Sequence, residues 1–353
     1  MFNFLNPKLD FFGLDFSGTA LKLAKVELVD DNPTLVSFGK RRVDPAICKN
    51  GKIKKEKEMA DVIRELLSSV IGKDIKTENV IISLPEEKTF SQIIDLPRTK
   101  RGQLKEIIEY EAESHIPLPI EEVYIDFKII SENKDKKTTK ILITAAPRKI
   151  VDPQASVLER AGLFPIAAES EALAMTRAFV SPENIEPLII LDIGETKTNL
   201  IVFSDGIIVF SSYILVSSRD LTTKLAEDKK ISIKEAEKIK VEKGLEDNKI
   251  HEVVHPLLEE MTETVRKHLD YYDSYGFMER LGEKKKIEKI ILCGGGGNLK
   301  GLIGFLSESL NLPVEKGSPL INLSEKSKEL FDGDGLSYGT SFGLALRNLE
   351  KEI

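Results

Sequence analysis

The sequence predicts a duplicated α/β fold that carries an inserted two-layer α+β module, and three observations support this. The first is an internal repeat: Leu14-Asp15-Phe16-Ser17-Gly18-Thr19, running on to Lys22 and Leu23, aligns without gaps on Leu191-Asp192-Ile193-Gly194-Glu195-Thr196, running on to Asn199 and Leu200. Each copy reads as an apolar strand, an Asp, a small-residue turn with a Thr, and a second strand, so the chain holds two related halves. Second, from about 89 to 165 the rhythm changes to a β-α-β-β-α order with loops of its own. Third, a buried strand, Ile287 to Leu292, runs into Cys293 and four consecutive glycines, Gly294 to Gly297.

In order along the chain, Phe11 to Leu28 gives two apolar strands around the polar turn Asp15 to Thr19, the second alternating through Leu21, Leu23 and Val26. Lys40 to Lys57 is basic and loop-like. Met59, Val62, Ile63, Leu66, Leu67, Val70 and Ile71 recur at helical spacing, with Gly72 where a C-cap belongs. Val80 to Leu84 is a short buried strand ended by Pro85. Within the insert, the strand Gln92 to Leu96 precedes a helix through Leu104, Ile107, Ile108 and Ala112. A long strand then puts Val123, Ile125, Phe127 and Ile129 on one face, and a third, Ile141 to Ala145, leads to a helix ending at Ala161 and Gly162. The second half continues with the strand Ile207 to Val216, helices at Arg219 to Glu227 and Ser232 to Glu242, and a long helix from Pro256 to about Leu281. Helices at Leu299 to Leu310 and Tyr338 to Leu349 close the pattern.

Composition narrows the function classes. A chain of 353 residues with 41% hydrophobic side chains fills two or three ordinary cores. With 58 acidic against 51 basic side chains and a net charge of −7, it is a poor binder of nucleic acid, where affinity rests on clustered Lys and Arg. Cys48 and Cys293 are too few for a disulfide scaffold and read as reduced thiols of a cytosolic protein. No segment approaches the ~20 consecutive apolar residues of a membrane helix. Met1 to Phe12, interrupted by Pro7, Lys8 and Asp10, is not a secretory signal, and its Phe2, Phe4 and Leu5 are expected to pack on the protein, with contact to a membrane or a partner as the alternatives.

The two Asp-bearing turns and the glycine run suggest a phosphate site held from both sides. Backbone N–H groups of tight Gly, Ser or Thr turns converge on anionic oxygens, and an Asp at a strand end holds Mg²⁺, usually through water. Glycine is needed where a Cβ would block that approach. Gly294 to Gly297 is neither a Walker A loop nor a dinucleotide fingerprint, because no Lys-Ser/Thr follows and Leu299 stands where a third glycine would be. It offers instead a flat surface on which an adenine or ribose can lie.

These motifs resemble the actin-like (ribonuclease H-like) ATPase superfamily of actin, the heat-shock chaperone ATPases, sugar kinases and FtsA. Within its FtsA-like branch the chain is similar to the PilM family of type IV pilus assembly proteins. The discriminating stretch runs from Glu109-Tyr110-Glu111-Ala112-Glu113-Ser114-His115-Ile116-Pro117-Leu118-Pro119 to Asp126-Phe127, supported by Glu159-Arg160-Ala161-Gly162-Leu163 and Gly343-Leu344-Ala345-Leu346-Arg347. The resemblance implies a first actin-like half from 1–88, 166–187 and the C-terminal helix near 338–353, with 89–165 as the FtsA-type inserted subdomain. It also implies a second core from 188–216 and 287–337 and a helical subdomain at 217–286. It implies ATP and Mg²⁺ as ligands, with Asp15, Ser17, Gly18, Thr19 and Lys22 as the first phosphate loop and Asp192, Gly194, Glu195 and Thr196 as the second. Asp15 and Asp192 would hold the metal through water, Gly294, Gly295, Gly296 and Asn298 would line the adenosine pocket, and Glu237 and Lys240 would face ribose and base.

By the same resemblance the protein is a cytoplasmic scaffold that reaches the inner membrane only through a partner, the N-terminal cytoplasmic tail of a PilN-type membrane protein. Pilus motor components and self-association stay open as further contacts. Ser17, in place of the usual Gly, and Ser217-Ser218, in place of a Gly pair, depart from the family pattern and point to weak or absent hydrolysis. The alternatives are an FtsA-like divisome protein, a type II secretion component, and a sugar or acetate kinase. His251-Glu252-Val253-Val254-His255 matches H-E-x-x-H, but Pro256 is expected to start the next helix and so to separate the two imidazoles.

Overall fold

A computed structural model describes residues 10–17, 19–49, 51–97, 104–133, 138–274, 285–331, 333 and 335–347. Gly18, the apolar residues Phe2, Phe4 and Leu5, and the expected helix ends at Leu281 and Leu349 lie outside the described residues.

The first half is built on β1 (Phe12–Phe16), buried throughout, which pairs antiparallel with β2 (Ala20–Val29), itself paired with β3 (Asn32–Arg42). Asp30 and Asp31 close the second hairpin with φ of 53° and 61°, a left-handed pair that Asp tolerates. The basic stretch expected as loop contains a small hairpin, β4 (Cys48–Lys49) with β5 (Lys52–Ile53). Helix α1 (Glu56–Leu67) buries Met59, Ile63 and Leu66. It stops a turn earlier than the periodicity predicts, where the hydroxyls of Ser68 and Ser69 donate back to Glu65 O. Ile71–Gly72 is therefore not helix end and cap but β6, on the edge of β3; with φ at 103° and Val36 O in the way of any Cβ, only glycine fits there. The strand β7 (Asn79–Leu84) lies parallel to β1.

The insert comprises β8 (Phe90–Pro97), α2 (Leu104–His115), β9 (Val123–Asn133) and β10 (Thr138–Pro147), an antiparallel sheet of order β8-β10-β9. Ile94, Leu96, Ile141, Ile143 and Ala145 pack against Ile108 and Ala112 of α2 as a core of their own. The next helix, α3 (Arg148–Arg160), packs elsewhere: its Val157 and Leu158 join Met59 and Ile63 in the first half's core, and Arg160 Nε donates to Glu56 Oε2 at 3.0 Å.

From α3 the chain enters β11 (Phe164–Ser170), parallel to β7, and α4 (Glu171–Phe179), which leads into the second half. There β12 (Leu188–Ile193), β13 (Thr198–Ser204) and β14 (Ile207–Ile214) are followed by α5 (Ser218–Lys229), α6 (Ile233–Lys243) and α7 (Asn248–Ser274). Then come β15 (Lys289–Cys293), α8 (Leu302–Leu310), β16 (Val314–Lys316), α9 (Lys326–Leu330) and α10 (Gly339–Ala345). The sheet orders are β11-β7-β1-β2-β3-β6 and β14-β13-β12-β15-β16. Each Asp-bearing strand has antiparallel neighbours on one side and parallel ones on the other, so the halves share one topology. The repeat holds to the residue: Asp15 stands opposite Lys22 in one ladder and Asp192 opposite Asn199 in the other. Helix α10 returns to the first half, where Phe342 packs with Ala24 and Phe38.

Pro256 does not start a helix. Asp247 Oδ1 accepts the backbone N–H groups of Lys249 and Ile250, so α7 begins at Asn248 and holds Pro256 in its interior. His251 and His255 consequently do share a face, their rings 5.3 Å apart and both packed edgewise on Phe305. Among the described residues no group of three or more His, Cys, Asp or Glu side chains gathers to hold a metal. Nor is any described helix long and apolar enough to cross a membrane.

Candidate functional site

Asp15 is the penultimate residue of β1, with its side chain almost wholly buried. Ser83 of β7 donates its hydroxyl to Asp15 Oδ1 at 3.0 Å while its oxygen accepts the N–H of Phe16, which fixes the carboxylate at the strand end. Lys22, directly across the hairpin, donates to Asp15 Oδ2 at 3.1 Å and to Ser17 Oγ at 2.9 Å. A cation is thus held over the first turn, beside the N–H groups that follow Asp15. Ser17, the departure from the family pattern, closes the turn by donating to Ala20 O.

The second turn is tighter. Gly194 N–H donates to Lys197 O at 2.9 Å, and a Cβ on Gly194 would press that same oxygen. Asp192 sits at the end of β12, partly exposed to the cleft. Desolvation, with Glu171 and Asp15 as carboxylate neighbours, pushes its pKa up to about 6 against the pull of Lys22 and Lys197. Influence from Asp15 and Lys22 means that the two turns face one another, and Thr19 Oγ1 spans the gap by donating to Glu195 Oε2 at 2.5 Å. Thr196 lies exposed at the tip of this turn.

The glycine run meets the same Asp. Gly294 has φ of 77°, and a Cβ on it would collide with Asp192 Oδ1; on Gly296 it would collide with Ile193. Gly295 is open by comparison, its nearest outside atom being Ser337 Cβ at 3.9 Å. Gly295 to Asn298 form a 3-10 turn rather than the start of α8, which begins at Leu302 after the left-handed Gly301. Asn298 Nδ2 donates to Gly295 O.

Helix α5 starts beside this wall with a capping box: Asp220 N–H donates to Ser217 Oγ, and Ser217 N–H to Asp220 Oδ2. Lys240 of α6 is buried beneath it, donating to Ser218 O, Ser218 Oγ and Thr222 Oγ1 at 2.9, 2.8 and 2.7 Å. Its ammonium therefore braces α5. Glu237, 2.9 Å from that ammonium, is the half-exposed member of the pair.

Sequence reasoning missed a buried network at the base of the cleft. Glu171 Oε2 accepts from Lys197 Nζ at 2.8 Å and from Asn199 Nδ2 at 3.0 Å, and the same amide nitrogen reaches Asp192 Oδ2 at 3.2 Å. Lys197 also donates to Glu87, while Glu86 accepts the Ser211 hydroxyl of β14 and the Ala172 N–H of α4. Burial raises the Glu86 pKa, and the nearby Glu171 adds to it. Asn199 Oδ1, also buried, accepts no hydrogen bond from a described residue. The local signal available was modest: Asn199 occupies in the repeat the place of Lys22.

Two α/β halves of one topology, with an Asp-bearing turn from each meeting at a glycine-lined cleft, define an actin-like protein. Within that class the sequence profile of the type IV pilus assembly protein PilM matches residues 13–349, and the chain belongs to that family. Among solved structures the chain is similar to a PilM-PilN type IV pilus biogenesis complex, with a TM-score of 0.80 at 24% identity, covering 98% of this chain and 100% of that one. Ethanolamine utilization protein EutJ from Carboxydothermus hydrogenoformans follows at 0.57 and 18%, covering 95% of this chain and 88% of that one. MreB5 of Spiroplasma citri bound to ADP gives 0.53 and 15%, with 94% of each chain covered.

Proposed function

We propose that this chain is the cytoplasmic, ATP-binding scaffold of a type IV pilus inner-membrane assembly complex. It grips the N-terminal cytoplasmic tail of a PilN-type membrane protein and is peripheral to the membrane through that partner. Membership of the PilM family and the likeness to a PilM-PilN complex support the partner. The nucleotide reading is carried by one observation, the convergence of Asp15 with Lys22 and Asp192 with Asn199 from the two halves on one cleft. MreB5, of the same fold, has been seen with ADP and with AMPPNP.

The donor set fits Mg²⁺. Asp192 is raised to about 6 because carboxylates crowd it in a desolvated place, and the buried Asn199 Oδ1 is an oxygen in want of a donor such as a metal-bound water. Asp15 and Asp192 would hold the ion through water, where it would neutralise phosphate charge. Lys22, with Ser17, Gly18 and Thr19, would take the β- and γ-phosphate oxygens from one side, and the Gly194 to Thr196 turn from the other. Gly294 to Gly296, Asn298 and Glu237 would line the nucleoside. Among the described residues the further carboxylates at the cleft, Glu171, Glu86 and Glu87, are taken up by Lys197, Asn199, Ser211 and Ala172 rather than left as a base for water, so the nucleotide acts chiefly by setting the angle between the halves and the population that binds the partner.

Isothermal titration with ATP·Mg²⁺ tests the site: wild type binds, and Asp15→Ala loses most of the affinity. A pull-down with the PilN-type tail peptide tests the scaffold, and no capture in either nucleotide state would sink it.

A further inference from the structure

Glu195 carries the wrong charge for a phosphate loop, and both of its carboxylate oxygens are already engaged. Oε2 accepts the hydroxyl of Thr19 from the first half at 2.5 Å, and Oε1 accepts the guanidinium of Arg219 at the start of α5. The backbone N–H groups of Ser218 and Arg219 also donate to the carbonyls of Gly194 and Glu195, at 3.0 and 3.1 Å, so α5 is fastened to this turn. Arg42 approaches from the first half: it lies opposite Ala20 in the β2–β3 ladder, and the next N–H, of Val43, donates to Thr19 O at 2.9 Å. Burial would raise the Glu195 carboxyl, yet Thr19, Arg219 and Arg42 together hold it below its ordinary value. A hydroxyl and a guanidinium bonded to one anion, with the positive charge of Arg42 close enough to act on it, make a donor set suited to phosphate oxygens. The anion here is the protein's own, and the Thr19 to Glu195 contact shuts one turn on the other where phosphates would have to pass.

We propose that Thr19, Arg219 and Arg42 form a terminal-phosphate site which Glu195 fills as a built-in competitor, and that a nucleoside triphosphate enters by displacing the Glu195 carboxylate. This rests on the nucleotide reading above and adds Arg219 and Arg42 to it. It also reverses the role of Glu195, from nucleotide ligand to a latch that nucleotide opens. The latch is easy to open, since Arg219 and Glu195 are 47% and 46% exposed and their pairing is screened by solvent. While it is shut, apparent affinity is reduced by the fraction of molecules that are open. A diphosphate reaches the site less well, so the latch discriminates by phosphate number.

The test is isothermal titration of the full chain with ATP·Mg²⁺ and ADP·Mg²⁺, using Glu195→Ala, Arg219→Ala and the double variant, with circular dichroism to check folding. Glu195→Ala should tighten ATP by about tenfold, the scale of a site-to-site coupling, and ADP by much less. Arg219→Ala placed on top of Glu195→Ala should cancel that gain. Weaker or unchanged ATP binding by folded Glu195→Ala overturns the proposal. If wild type binds ATP, Asp15→Ala does not and Glu195→Ala shows no gain, the latch falls while the nucleotide reading stands. If no variant binds ATP, both fall.

Discussion

Lys197 Nζ donates to Glu171 Oε2 at 2.8 Å, and this pair ties the second Asp-bearing turn to the first residue of the helix that joins the two halves. Burial alone would lower the Lys197 pKa, but Glu171 and then Glu87 outweigh it and raise the ammonium well above its ordinary value. A raised lysine contributes its stability in full below the unfolded-state pKa, so at neutral pH the whole contribution is present. The same carboxylate that takes Lys197 takes Asn199, which touches Asp192. The lobes and the cleft therefore share one electrostatic network.

Lys197→Met should destabilise the protein by ~2–4 kcal/mol, because it leaves Glu171 and Glu87 without their paired cation and beside Asp192. Urea denaturation at pH 7 measures this, and acid should partly relieve the loss as the stranded carboxylates protonate. An unchanged midpoint would show that the network is solvated and carries no weight.

Asp192 gives a pH dependence of the same sign in a lower window. Its folded pKa of about 6 lies above the unfolded 3.8, so its contribution is full below the unfolded value and is lost as pH rises through about 6. Above that, the native state carries an ionised carboxylate in a crowded place. Asp192→Asn should thus be more stable than wild type at pH 7.5, by ~1–2 kcal/mol after allowance for partial exposure, with the gap closing near pH 4. Binding of ATP·Mg²⁺ should show the reverse: wild-type affinity climbs between pH 5 and 7 as Asp192 ionises, while the variant stays weak and flat. A variant less stable than wild type at pH 7.5 would contradict the assignment.

Much of the fold was legible because duplication wrote it twice. One gap-free alignment places both Asp residues, and the ladders repeat it in Asp15 opposite Lys22 and Asp192 opposite Asn199. Order within the insert was legible from period alone, since β8, α2, β9 and β10 bury one face each. Errors came where a strong local rule met a competing one. Gly72 read as a helix cap but is demanded by Val36 O across a sheet edge. Pro256 read as a helix start but tolerates an interior position in a helix that Asp247 had already capped. The network of Glu86, Glu87, Glu171 and Lys197 was illegible because bonded members, Glu87 and Lys197, lie 110 positions apart and none belongs to a periodic pattern.

Glycines of α10 and α8 separate packing from conformational entropy. A Cβ on Gly343 would be driven into the Ala174 carbonyl of α4, so Gly343→Ala should cost about 3 kcal/mol. Gly304, in α8, has nothing within 4 Å of its would-be Cβ, and Gly304→Ala should stabilise by about 0.5–1 kcal/mol through the unfolded state. Thermal denaturation of the two variants checks both signs at once. Similar shifts in one direction would mean that the α4–α10 contact is looser than it looks.

Lys240 decides between support and direct contact. The resemblance places it with Glu237 at ribose and base, yet its ammonium donates to Ser218 and Thr222 under the start of α5 and is almost wholly buried. A lysine so placed acts on nucleotide only through α5, so Lys240→Met should lower the melting temperature first. Leaving the Ser218 and Thr222 hydroxyl oxygens without that donor, while Thr222 still donates to Ser218 O, costs about 1–3 kcal/mol. Glu237→Gln removes the carboxylate that pairs with the buried Lys240 ammonium, so it should cost a smaller part of the same stability and shift affinity beyond that if it meets the nucleoside. Melting curves and titrations on both variants separate the roles: a Lys240→Met protein with full stability and lost nucleotide affinity would return Lys240 to the ligand set.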